Sequence, residues 1–174
     1  ETEKLDNNDN KLSTDGGKVL SSVGYRISKD TRDNRFNPTS GYYYALSEQF
    51  AGLGGDVNYL SSVLKGSYYY KYDYVDLIVG IGAEYGNIEG LGENISKSNR
   101  FFLGGRKIRG FDSSGIGPRV SANSSASAVG GNNYYTGRVS IRSGIGIPSE
   151  TALQWTVFTD FGTLWGVDDT IDNY

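Results

Sequence analysis

Val19, Val23, Tyr25 and Ile27 occupy one parity of the chain while Ser22, Gly24, Arg26 and Ser28 occupy the other, the period of two that places successive side chains on opposite faces of a β-strand. The turn signature NPTSG at residues 37–41 follows. Tyr42, Tyr44, Leu46 and Phe50 then share a face against Ala45, Ser47 and Gln49, with Glu48 the one charged residue on the apolar parity. A further turn at 52–56 leads into residues 57–72, an aromatic run that alternates poorly and still predicts a strand, without fixing its register. The next segment is clear: Val75, Leu77, Val79, Ile81, Ala83 and Tyr85 line one side, and Asp76, Gly80, Gly82, Glu84 and Gly86 the other. Glycine on that second face leaves room for something to lie against the backbone. Val139, Ile141, Ile145 and Ile147 alternate with Arg138, Ser140, Arg142, Gly144 and Gly146. Finally Leu153, Trp155, Val157 and Phe161 alternate with Gln154, Thr156 and Asp160. The pattern predicts an all-β, antiparallel protein, and it predicts little strand in residues 87–132.

Alternation alone fits a soluble barrel or sandwich with its apolar face inward, and equally a transmembrane barrel with its apolar face to lipid and a polar lumen. Length favours the second, since the readable strands run about 9 to 14 residues, near the roughly 9–11 tilted residues that cross a bilayer and beyond the soluble mode of about 5–6. Tyrosines grouped at 42–44, 68–70 and 134–135 fit an interfacial girdle. No window approaches the roughly 18 apolar residues of a membrane-spanning helix.

Composition removes several chemistries. The 174 residues include no Cys and no His, which takes away thiol nucleophiles, imidazole bases and the usual zinc ligands. Neither a GxSxG nor a phosphate-binding glycine motif occurs. No enzyme activity, cofactor or metal is expected. Seventeen basic against twenty acidic residues, without a basic stripe, argue against a nucleic acid partner. Residues 1–18, ETEKLDNNDNKLSTDGGK, have almost nothing to bury and read as a solvated segment, which sets residues 19–174 apart as the β domain.

The long loop at 87–132 divides in kind. Its first part carries RFFLGGRKIRGFDSSGIGPR at residues 100–119, and its second, 120–129, is a Ser/Ala/Asn stretch expected to be flexible. Ile108-Arg109-Gly110-Phe111 resembles the [VI]RG[FY] signature of the sixth extracellular loop in BamA-type outer-membrane β-barrel assembly factors, within the bacterial surface antigen superfamily. The resemblance extends to DTRDN at 30–34 with PTSG at 38–41, FAGLGGD at 50–56, FLGG at 102–105, IGPR at 116–119 and FTDFGTLW at 158–165. It covers nearly the whole chain after Val19.

The resemblance implies a portion of a sixteen-stranded barrel in the bacterial outer membrane, with the long loop inserted in the lumen. It implies partners too: the lipid bilayer, unfolded β-barrel clients and assembly-complex lipoproteins. In that family the loop arginine pairs with acidic groups on the inner wall. Carried over residue by residue, Arg109 would meet Asp160, which lies on the polar parity of its strand. Gly110 would let the backbone approach closely, and Phe111 would anchor the loop by apolar contact. Ile108, Gly104 and Gly105 would support the loop. Where the family usually has a second lumenal carboxylate, this chain has Ser140, with Arg138 and Arg142 on the same parity; Glu84 is the candidate substitute. The alternatives are a related two-partner secretion pore and a soluble ligand-binding β domain, which would bury Trp155 and Val157.

Overall fold

The computed structural model describes residues 19–122, 125–144 and 153–168, together with the backbone of the short paired strands β1 (Lys4–Leu5) and β2 (Lys11–Leu12). The rest of the predicted solvated segment, and Ile145 and Ile147, lie outside the described residues. The principal strands are β3 (Ser22–Asp30), β4 (Gly41–Ala51), β5 (Tyr59–Tyr72) and β6 (Leu77–Gly90). Strands β7 (Arg119–Ala122) and β8 (Ser125–Ala128) form a hairpin within the loop, followed by β9 (Asn133–Gly144) and β10 (Gln154–Trp165). Six of them make one antiparallel sheet in the order β10-β9-β6-β5-β4-β3. β6 runs to Gly90, three residues beyond the predicted loop start, and the Ser/Ala/Asn stretch is a hairpin, with Arg119 opposite Ala128 and Val120 opposite Ser127. Small residues in these two strands satisfy their backbone groups by pairing with each other, which composition alone does not reveal.

The register joins the apolar parities of all six strands into one face. Ile27, Leu46, Leu64, Tyr85 and Tyr135 form one row across it, and Tyr70, Val79, Ile141 and Val157 another. β5 is thereby given the register that its composition left open. This face is not covered: Ile27, Ile81, Val157 and Phe161 are all exposed, and Trp155 and Val157 stand 42% and 63% accessible. A soluble domain would have buried them. A contiguous apolar face of this extent marks contact with lipid or another apolar partner.

Aromatic rows bound that face at both ends. Tyr42 and Tyr44 stack at 6.0 Å, Tyr70 and Tyr72 meet edge to face at 4.7 Å, and Trp155 lies on the same side of the sheet. Toward the other end Tyr135 and Trp165 meet at 5.9 Å. There the row Tyr25, Glu48, Ser62, Asn87 and Asn133 is polar; the Tyr25 hydroxyl donates to Glu48 and the Asn87 amide to Asn133. From the row of Ser62 to that of Tyr72 is about 33 Å along β5 at roughly 3.3 Å per residue. A tilt of about 40° reduces this to about 25 Å, the height of the lipid-facing band of an outer-membrane barrel.

The buried core lies on the opposite face, beneath the loop. One cluster unites Ala51, Tyr59, Ile88 and Ile95, with Val57 and Phe101 against it; the second unites Leu103, Ile108, Tyr134 and Leu164, with Phe101 and Ile116. The glycines of β6 serve this face unequally. A side chain at Gly86 would run into the Tyr134 ring, one at Gly80 would lie 3.0 Å from the Tyr69 ring and 2.8 Å from Ser140 Oγ, and one at Gly82 would make only ordinary contact, 3.7 Å from the Gly66 carbonyl oxygen.

Ile81→Arg, mid-band on the exposed face, should destabilise the full-length protein by about 2–4 kcal/mol in lipid vesicles, whereas Ser62→Arg at the boundary should cost about 0–1 kcal/mol. Denaturant unfolding monitored by tryptophan fluorescence measures both. In the turn at 31–40, the Asp33 carboxylate accepts from Thr39 Oγ1 at 2.7 Å and from the amides of Thr39 at 2.8 Å and Ser40 at 3.1 Å. The Thr39 hydroxyl first, then the Ser40 amide, hold its carboxyl well below the usual carboxylate range. A depressed folded-state pKa contributes stability that is present above the ordinary value of about 3.9 and lost as pH falls through the folded one. Amide exchange at Thr39 and Ser40, corrected for intrinsic rate, should therefore stay protected below pH ~4.

Candidate functional site: the loop on the inner wall

After Gly90 the chain leaves the sheet, makes a 3-10 turn at Lys97–Asn99 and pairs with itself through two isolated bridges outside the strands, Phe101 with Gly131 and then Leu103 with Ile116. Between them residues 104–111 close on themselves: the Gly105 amide donates to the Phe111 carbonyl at 3.0 Å and the Lys107 amide to the Gly104 carbonyl at 3.2 Å. Gly104 (φ +139°) turns so tightly that a Cβ there would collide with the Asp112 carbonyl. Gly110 differs from expectation. No atom lies within 4 Å of where its Cβ would be, so no close approach is involved; its φ of +87° is what calls for glycine.

This fold delivers Arg109 to Asp160. Arg109 Nε donates to Oδ2 at 2.7 Å and Nη2 to Oδ1 at 2.8 Å, a bidentate fork, and the Arg109 amide adds a third bond to Oδ2 at 3.1 Å. Arg138, directly opposite Asp160 in the β9–β10 register, donates Nε to Oδ1 at 2.7 Å. The Asp160 side chain is only 3% exposed. The Arg109 guanidinium also lies over the Phe158 ring, 3.1 Å from its centroid. Ser140 pairs with Phe158 across the sheet, so where a second carboxylate was looked for, the structure has an aromatic face beside a small residue. The neighbouring cation Arg138 shares Asp160 with Arg109.

Two expectations are corrected. Glu84 is not a partner of Arg109: its Oε1 receives Lys107 Nζ at 2.5 Å and the Tyr134 hydroxyl at 2.5 Å, and Lys65 stands 3.7 Å from Oε2. Phe111 is not the apolar anchor; its side chain is 53% exposed. That role falls to Ile108, 2% exposed, whose Cδ1 lies over Gly162, where a Cβ would be 2.8 Å away. The anchor moves three residues back, from Phe111 to Ile108, because the positive-φ turn at Gly110 swings Phe111 off the wall. Gly105, with φ +54°, supports the turn within the loop. Sequence reasoning missed the roles of Lys107, Tyr134 and Phe158, and named Arg138 only as a cation on the polar parity, not as a partner of Asp160. Parity did mark Arg138 and Asp160 as sharing a face, and the strand register puts them opposite.

The Omp85 superfamily domain model matches residues 1–174. The chain belongs to the Omp85 superfamily. It is 36% identical over 161 residues to the outer membrane protein assembly factor BamA of Neorickettsia risticii, covering 92% of this chain and 21% of that protein. It is 32% identical over 114 residues to a SAM50-like protein of Drosophila melanogaster, covering 62% of this chain and 25% of the relative. The crystal structure of BamA from Haemophilus ducreyi lacking POTRA domains 1–3 superposes with a TM-score of 0.75 at 18% identity, over 83% of this chain and 30% of that one. This Omp85 chain thus spans about a fifth to a third of the length of these relatives, and its sheet is part of a transmembrane antiparallel β-barrel. The exposed apolar face is the lipid-facing side, and the loop with its two buried clusters lies on the opposite face of the sheet.

Ile108→Ala should empty the pocket against Gly162 and Leu164 and cost about 2–5 kcal/mol of local stability. Phe111→Ala should stay within about 0.5 kcal/mol. Hydrogen exchange over the loop of the full-length protein separates the two.

Proposed function

We propose that this domain is the barrel part of an outer-membrane assembly factor that folds and inserts β-barrel proteins, with the IRGF loop bracing the lumenal wall. The observation that carries the reading is the docking of Arg109 onto Asp160 on the face opposite the lipid-facing band. The names of the relatives support it: the BamA proteins are outer membrane protein assembly factors. The bacterial relative, similar over 92% of this chain against 62% for the Drosophila SAM50-like protein, favours the bacterial outer membrane. Unfolded β-barrel proteins are the proposed clients, with assembly-complex lipoproteins as accessory partners.

The physics of the task fits a braced wall. Backbone amides left unpaired in hydrocarbon cost several kcal/mol each, so an incoming strand is driven to pair with an edge. An edge can be offered at one place only if the remaining strands keep their register. A loop that fastens strands from inside supplies that without occupying the lipid-facing surface.

Arg109→Ala in the full-length protein should weaken the docked loop by about 1–3 kcal/mol and lower client insertion. Asp160→Asn should overlap with it rather than add, as contacting partners do. Reconstituted insertion assays with purified barrel clients check both, and normal insertion by both variants would refute the brace.

A further inference from the structure

We propose that Lys107 is a second positioning residue of the loop, so that the tripeptide Lys107-Ile108-Arg109 staples three strands, β6, β9 and β10, rather than hanging from β10 alone. The inference rests on the loop-brace reading and deepens it. Lys107 Nζ lies 2.5 Å from Glu84 Oε1 on β6 and 2.8 Å from the Tyr134 hydroxyl on β9, and 4.0 Å from the centroid of the Tyr134 ring. The Tyr134 hydroxyl donates to the same Glu84 oxygen, so ammonium, phenol and carboxylate form a closed triangle. Two residues on, Arg109 holds Asp160 on β10, and Ile108 between them is buried against Gly162 and Leu164. The Lys107 carbonyl, 3.5 Å from Arg138 Nη2, joins the two charged clusters. β6 and β10 are not neighbours; β9 lies between them, so the tripeptide spans a wider piece of wall than any one hydrogen-bonded pair.

Charge gives Lys107 its weight. The Glu84 side chain is 16% exposed, and without the loop its nearest cation is Lys65, at 3.7 Å and 53% exposed. A largely buried carboxylate needs a close partner, and a compact ammonium can serve carboxylate, hydroxyl and ring at once. Docking of the loop and neutralisation of Glu84 are therefore one event. The arrangement also means that Arg109 is not the sole charged anchor, so its loss alone leaves the loop held at β6.

The test is hydrogen–deuterium exchange over residues 103–117 of the full-length protein in lipid nanodiscs, with no client present. Lys107→Ala and Arg109→Ala should each raise exchange about fivefold, the factor that an ion pair of roughly 1 kcal/mol represents. The double variant should approach the product of the two, as separate anchors require. Tyr134→Phe, which keeps the ring and removes the hydroxyl, should give a smaller rise. The swap Lys107→Glu with Glu84→Lys should restore most of the protection lost in Lys107→Glu alone, a rescue that simple packing would not produce. Unchanged exchange in Lys107→Ala, a double variant no looser than Arg109→Ala, or absence of rescue in the swap would overturn the proposal. Because exchange is read without clients, failed insertion by a native-like loop counts against the assembly reading, and an unmoved Lys107→Ala counts against the second anchor alone.

Discussion

A sheet that turns its apolar parity toward lipid cannot build a core on that side, and this constraint governs the rest of the molecule. Ile27, Ile81, Val157 and Phe161 are spent on the exterior, so the residues that pack against protein must come from the other parity, where the strands offer mostly glycine, serine and charge. The loop supplies what the sheet lacks. Leu103 and Ile108 from the loop meet Tyr134 and Leu164 from β9 and β10, and Ile95 meets Tyr59 and Ile88 from β5 and β6. What would be an insertion in a soluble sandwich is here one half of the core.

The charged contacts follow from the same arrangement. Once the loop covers the inner wall, Asp160 and Glu84 lose most of their water, and each must find donors locally or be left as a costly unpaired ion. Asp160 finds two guanidinium groups and a backbone amide; Glu84 finds an ammonium and a phenol. Apolar burial places the loop and the carboxylates set its register. A loop shifted by one residue would send the Ile108 side chain toward a charge and leave Asp160 with Arg138 alone.

Much of the wall was legible in the sequence because period-two alternation survives wherever one face must be apolar. The readable parities of β3, β4, β6, β9 and β10 all fall on the observed exterior. β5 resisted because Tyr68, Tyr69 and Tyr70 are apolar enough for either face, and only pairing with β4 and β6 puts Tyr69 inward. In the loop, alternation carries no information, since side chains there are aimed by positive-φ glycines. Arg109 was recoverable from its motif and Asp160 from its parity. The exchange of roles between Ile108 and Phe111 was not, because it depends on the turn at Gly110. Lys107 gave no signal in the sequence, being one of several cations in a polar loop until the fold sets it beside Glu84.

Ser140 then has a physical explanation in place of a missing acid. The Asp160 carboxylate offers about four lone-pair positions. Arg109 Nε, Nη2 and backbone amide together with Arg138 Nε take them up, and Arg138 Nη2 stands 3.4 Å from Oδ2 as well. A second carboxylate at position 140 would compete for the same guanidinium and would need the space beside Phe158, whose ring now lies under Arg109. A small residue there lets the ring take that place, and the ring's negative face meets part of the cation's electrostatic demand without adding a charge to desolvate. The other acid that meets the Lys107–Arg109 tripeptide is Glu84, on a different strand, and it engages a different cation. The wall keeps two carboxylates toward the loop, but divides them between Arg109 and Lys107.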